Sequence, residues 1–153
     1  MTEKTIMIKN KKATYEYFLL ETFVSGICLT GTEIKSIRKG KVSLVDSYCS
    51  FVKNELFLIN SNIAEYEFGN INNHIPKRDR KLLLTKIELR KIQRKITEKG
   101  LTLIPVNMFI NKEGFCKVTI SIAKGKKLYD KKNSISEREV KINIKRNYNI
   151  NIR

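Results

Sequence analysis

Apolar and polar positions change period several times along the chain, and each change marks a predicted element. From Tyr15 to Leu29, YEYFLLETFVSGICL is aromatic and β-branched enough for one long strand, with Gly26 predicted as a bulge or bend. TGTEIKSIRKG then breaks the pattern. Thr30 and Glu33 have capping-box spacing and Gly40 supplies a stop, which predicts a short helix over 31–38. That helix turns Ile34 and Ile37 inward and Lys35 and Arg38 outward. Strands follow over 47–53 and 55–60, joined by a tight turn at Lys53-Asn54, with a third short strand near Ile63. FGNINNHIPKRDR reads as a loop. Thr85 and Glu88 form a second capping box, and Leu89, Ile92 and Ile96 make one apolar stripe before Gly100. Strands over 101–110 and 115–122 form a hairpin across NKEG.

Beyond residue 122 the patterns conflict. Ser136/Glu139 has capping-box spacing and Val140, Ile144 and Tyr148 recur at helical intervals, yet Ile142, Ile144, Ile150 and Ile152 alternate as in a strand. Such a segment is expected to order on a partner.

Six or so short strands with little helix between most of them exclude a parallel sheet with crossovers. They predict a mainly β fold with some α: a small antiparallel OB-like β-barrel flanked by two or three short helices. The expected organisation is a basic N-terminal arm over 1–12, the barrel over 13–122 and a basic, flexible C-terminal tail over 123–153.

Charge sharpens this picture. The 153 residues carry 31 Lys and Arg against 15 Asp and Glu. Residues 75–100 hold ten bases and three acids, residues 123–153 again ten and three, and the other 96 are nearly balanced at eleven and nine. Codon bias of an AT-rich genome would account for Lys in place of Arg, but not for two clusters. Focused positive charge implies a polyanionic partner, and nucleic acid before an acidic membrane.

The chemistry of the remaining residues argues against an enzyme. His74 is the single histidine, set in a loop beside Asn73 with no foreseeable nucleophile or carboxylate partner. AKGKK lacks the second glycine and the hydroxyl of a phosphate-cradling loop, and there is no HExxH, CxxC or close carboxylate set. No cofactor or metal is expected. Cys28, Cys49 and Cys116 are odd in number and widely spaced, so they read as reduced, buried small hydrophobes of a cytoplasmic protein. MTEKTIMIKNKK lacks the apolar stretch of an export signal, and no run is long enough to span a membrane.

Four motifs in order carry more than composition. LTGTEIKSIRKGKVSLVDSY (29–48), RKLLL (80–84), EKGLTLIP (98–105) and AKGKKLYDKK (123–132), with NKKA at 10–13, resemble the small protein B family, the SsrA-binding proteins of bacterial trans-translation. The likeness covers about residues 10–139. It implies a monomeric, non-enzymatic OB-like protein. Such a protein binds the tRNA-like domain of transfer-messenger RNA and delivers it to stalled ribosomes. Its basic tail would enter the empty messenger channel near the decoding site of the small subunit. Elongation factor Tu and alanyl-tRNA synthetase are the indirect partners it implies. Without the motifs, an OB-type ribosomal protein or ribosome assembly factor fits equally well, and a single-strand nuclease is a more distant rival.

The resemblance places the RNA face on Asn10, Lys11, Glu33, Lys35, Ser36, Arg38, Lys41, Arg80 and Lys81, with Lys124, Lys126 and Lys127 reaching phosphates and Tyr129 stacking on a base. For Glu33, helix capping and RNA contact are equally good readings. Tyr48 and Leu82–Leu84 are expected in the core. The ribosome-binding tail would use Lys131, Lys132, Arg138, Lys141, Lys145 and Arg146. Two departures stand out: Val24 and Ser25 replace the family's usual acid and alanine, and Asp130-Lys131-Lys132 replaces Asp-Lys-Arg, losing a guanidinium fork.

Overall fold

A computed structural model describes residues 6–97 and 100–126. Nine strands and three α-helices follow in the order β1 (Met7–Lys9), α1 (Ala13–Glu16), β2 (Tyr17–Ile27), α2 (Gly31–Arg38), β3 (Val42–Ser43), β4 (Tyr48–Val52), β5 (Glu55–Ile59), β6 (Asn62–Ile63), β7 (Arg80–Leu83), α3 (Lys86–Ile96), β8 (Leu101–Ile110) and β9 (Cys116–Gly125). One 3-10 turn, Asn70–Asn72, interrupts the loop before β7.

All the pairings are antiparallel. Strands β8, β4, β5, β7, β2 and β9 are bonded in that order, and β9 pairs back onto β8, so the sheet closes into a ring. The expected mainly antiparallel β fold with flanking helices takes this form. Inside it pack Leu56, Leu58, Leu82, Leu103, Met108, Val118, Ile120 and Ile122, all at 2% exposure or less. Ile37 of α2 and Ile92 of α3 are fully buried in the same cluster, so each helix docks through its apolar stripe.

Local signals explain several elements. Lys53 and Asn54 have φ of 50° and 66°, the left-handed pair that a two-residue hairpin needs between β4 and β5. Both capping boxes form. The Thr30 amide donates to Glu33 Oε1 at 2.8 Å, and the Glu88 amide donates to Thr85 Oγ1 at 3.2 Å.

Three expectations need correction. Residues 7–12 are not a separate arm, because Met7–Lys9 pair with Asn107–Phe109 and the Asn10 amide donates to the Val106 carbonyl. The bulge in β2 lies at Leu20, where the register to β9 slips, and not at Gly26. Gly26 serves close approach instead: a Cβ there would sit 3.2 Å from Leu83 Cβ. Finally, β9 runs three residues past Ile122. Ala123 is fully buried with Ala13 and Ile104 in a small second cluster under α1, so the strand extends as far as it has apolar cover.

The cysteines divide. Cys49 and Cys116 are buried, whereas Cys28 lies exposed just past the end of β2, against expectation. Burial pushes the Cys116 thiol up to about 12 and Cys49 higher still. A disulfide-exchange reagent at neutral pH is therefore expected to label one thiol quickly, with the other two reacting after denaturation. Two fast thiols in the native protein would contradict the packing of β4 or β9. Among the described residues no helix is long and apolar enough to cross a membrane.

Candidate nucleic-acid interface

The candidate interface centres on α2. Its outward face carries Lys35, Arg38 and Lys39, all exposed, with Arg38 in the last turn, where a cation suits the helix dipole. Against this face lies the loop between β6 and β7. Lys39 Nζ sits 5.2 Å from the ring centres of both Tyr66 and Phe68, and Lys35 Nζ lies 5.4 Å from Tyr66. The two rings meet edge to face at 5.5 Å. Phe68 remains 69% exposed, so its ring is open to a further partner. Lysines interleaved with exposed rings are what stacking and phosphate contacts both require. Lys41 is exposed nearby and pairs with Glu67 at 2.7 Å, which holds the Glu67 carboxyl below its ordinary value.

What holds this loop in place is a buried polar network. Arg80, fully buried, donates through Nε to Glu33 Oε2 and through its other nitrogens to Ser61 Oγ and the carbonyls of Ser61, Arg78, Ile75 and Pro76. Arg78 Nη2 adds a second bond to Glu33 Oε1 at 2.6 Å. Burial pushes the Glu33 pKa up, but bonds from Arg78, the Thr30 amide and Arg80 outweigh it and leave the carboxyl below its ordinary value. Ser36 donates to the Ala64 carbonyl at 2.6 Å. His74 bridges as well, with Nε2 2.9 Å from the Ile63 carbonyl and Nδ1 2.9 Å from Thr32 Oγ1. The carbonyl can only accept, so Nε2 carries the proton and Nδ1 accepts from the hydroxyl. Asn73 closes the turn by exchanging bonds with the Tyr66 backbone. Gly69 is needed there, since a Cβ would come 2.7 Å from Asn73 Nδ2.

Glu33, Ser36 and Arg80 are thus corrected from contact residues to supports. Each is at most 1% exposed and its polar atoms are consumed inside the fold, so none is free to meet RNA. For Glu33 the capping reading holds, with two arginines added. Tyr48 is corrected in the other direction: it is 45% exposed. Of the leucines, Leu82 is buried but Leu83 is half exposed. The aromatic loop itself escaped the sequence reading, although the spacing of Tyr66 and Phe68 put two rings on a segment with no strand to join.

A second group gathers at α1. Lys11 and Lys12 are exposed beside Asn10, whose Nδ2 donates to the Pro105 carbonyl at 2.9 Å. Asn10 Oδ1 is buried and has no partner among the described residues, and Asn10 lines a cavity of about 270 Å3 with Lys12, Tyr17 and Tyr48. Lys124 is exposed, while Lys126 donates to the Thr14 carbonyl at 2.9 Å and lies 4.8 Å over the Phe18 ring. Lys81 sits apart and pairs with Glu55 at 3.2 Å. Lys127, Tyr129, Lys131, Lys132, Arg138, Lys141, Lys145 and Arg146 lie outside the described residues.

A closed ring of antiparallel strands, with basic and aromatic side chains assembled on a pinned loop, defines a small protein built to meet a polyanion. Residues 7–150 match the family described as SmpB protein, and the chain belongs to that family. It is 55% identical over 139 residues to the SsrA-binding protein of Bacteroides thetaiotaomicron, covering 91% of this chain and 93% of that one. The SsrA-binding protein of Protochlamydia amoebophila is 53% identical over 135 residues, covering 88% of each. A solved structure described as "tmRNA-SmpB: a journey to the center of the bacterial ribosome" is similar with a TM-score of 0.69 and 46% identity, over 80% of this chain and 86% of that one.

Proposed function

We propose that this protein binds transfer-messenger RNA and brings it to stalled ribosomes, where the tagging of incomplete peptides begins. Kinship with SsrA-binding proteins over nine-tenths of the chain is the observation that carries this reading. The geometry supports it. Exposed cations and the Phe68 ring stand on α2 and its loop, while Glu33 and Glu67 beside them are already neutralised by arginine and lysine. A permanent ribosomal protein would account for the charge but not for this kinship.

In this reading Lys35, Arg38, Lys39 and Lys41 meet phosphates of transfer-messenger RNA, and Phe68 stacks on a base. Lys11, Lys124 and Lys126 add phosphate contacts near α1, and Asn10 holds that segment against the Pro105 carbonyl. Lys127 meets a further phosphate and Tyr129 stacks on a base, while Lys131, Lys132, Arg138, Lys141, Lys145 and Arg146 contact ribosomal RNA. The protein acts without catalysis, in the cytoplasm.

The test replaces Lys35, Arg38 and Lys39 together with alanine and measures affinity for transfer-messenger RNA against salt. Each lost phosphate contact is expected to flatten the log–log salt slope by about 0.7–0.9. Each exposed substitution should move stability by no more than roughly 0.5 kcal/mol. An unchanged slope would remove α2 from the interface.

A further inference from the structure

Helix α3 carries five bases, and the structure sorts them into two sets. Lys91 and Lys95 turn toward β2, where they close on Glu21 at 2.6 and 2.5 Å. Lys86, Arg90 and Arg94 recur every fourth residue along an exposed stripe. None of the three side chains has an ion pair or hydrogen bond among the described residues. The helix's own acid, Glu88, is taken up by Thr85 in the capping box. Lys86 and Arg90 also stand in the N-terminal half of the helix, where the dipole disfavours cations. Only Arg94, in the last turn, suits the dipole, so Lys86 and Arg90 do not serve the stability of their own helix.

The β4–β5 turn extends this surface. Asn54 joins Lys86, Leu89, Arg90 and Gln93 around a shallow cavity of about 240 Å3, and Lys53 is exposed beside it. Position then separates the stripe from the interface on α2. Glu33 of α2 is tied to Arg80, the first residue of β7, whereas α3 starts three residues after Leu83, the last. The two basic surfaces lie at opposite ends of one strand, and a carrier of RNA needs two: one for its cargo and one for the body that receives it.

We propose that the Lys86–Arg90–Arg94 stripe is a second RNA-contact surface, which grips the phosphate backbone of ribosomal RNA while α2 holds transfer-messenger RNA. Successive members of the stripe rise about 6 Å along the helix, and guanidinium forks fit phosphate oxygens two at a time. Contacts of this kind position without reading sequence. The assignment of cargo and receiver rests on the function proposed above.

The test uses the full chain with Lys86→Ala, Arg90→Ala and Arg94→Ala together, since alanine preserves the helix. An unchanged thermal melt certifies the fold, and Arg90→Gln with Arg94→Gln is the second variant should the triple one melt early. Binding is measured across a salt series to purified vacant ribosomes and, separately, to purified transfer-messenger RNA. For the triple variant the expected result is at least a tenfold loss for ribosomes at low salt, with the slope reduced by about 2–3. Affinity for transfer-messenger RNA should stay within twofold. Lys91→Ala with Lys95→Ala, which removes the set facing Glu21, should leave the ribosome slope unchanged. Unaltered ribosome binding by the stripe variants overturns the proposal, and so does an equal or larger loss toward transfer-messenger RNA. Failure of the unaltered protein to bind transfer-messenger RNA would instead overturn the functional reading, with the ribosome series still reporting on the stripe.

Discussion

Glu33→Ala is expected to lower the unfolding free energy by about 3–5 kcal/mol, because it strands the Arg80 guanidinium in the interior without its counter-charge. Both side chains are fully buried, and their pairing joins α2 to the first residue of β7. Removing the acid also releases Arg78 and the Thr30 amide, so the α2 N-terminus and the loop over 61–78 should loosen together. Chemical denaturation of the variant checks this, with Lys35→Ala on the same helix as the exposed control. Replacing Glu33 and Arg80 together with apolar residues should cost less than the single change, since no unpaired charge remains. The same pair sets an acid limit. The folded carboxyl titrates below its ordinary value of 4.5, so as pH falls the unfolded chain takes up this proton first. Stability from the pair is complete above that value and drains away as pH drops through the folded pKa. A Glu33→Gln variant should show a flatter stability profile below pH 4.5; an identical profile would place the acid sensitivity elsewhere.

Truncation after Asp130 is expected to leave binding of free transfer-messenger RNA largely intact and to abolish tagging on stalled ribosomes. The ring closes through β8 and β9 by Gly125, and α2, its aromatic loop and Lys11 all precede the cut. What the cut removes is a segment with seven of the chain's 31 bases. A gel shift with the RNA and alanine transfer on a stalled ribosome, run on one truncated protein, separate the two roles. Equal loss in both assays would make the tail part of RNA capture.

Short-range signals made much of the fold legible. The 31–38 helix, the turn at Lys53-Asn54 and the 101–110 strand each depend on residues within a few positions of one another, and each lies where the pattern puts it. The stripe of Leu89, Ile92 and Ile96 likewise packs on the core. Elements that depend on distant partners were not legible. Met7–Lys9 become a strand because β8 offers an edge about a hundred residues later, and β9 continues past Ile122 because Ala13 and Ile104 cover Ala123. At the interface the difficulty was charge. Glu33 and Arg80 are 47 positions apart, and a charged residue read alone belongs on the surface. Their mutual neutralisation takes them inside, and the loop they support then brings Tyr66 and Phe68 to Lys35 and Lys39. Those contacts arise from folding, so the exposed lysines of α2 could be found from periodicity while the rings beside them could not.

The RNA that co-purifies with the protein from its own cells reports whether it captures transfer-messenger RNA. Affinity-purified full-length protein, washed at moderate salt, is expected to carry a structured RNA with an alanine-accepting stem, recovered well above its cellular abundance. Recovery of ribosomal RNA alone, retained on vacant ribosomes through high salt, would contradict the account and make the protein a fixed ribosomal component.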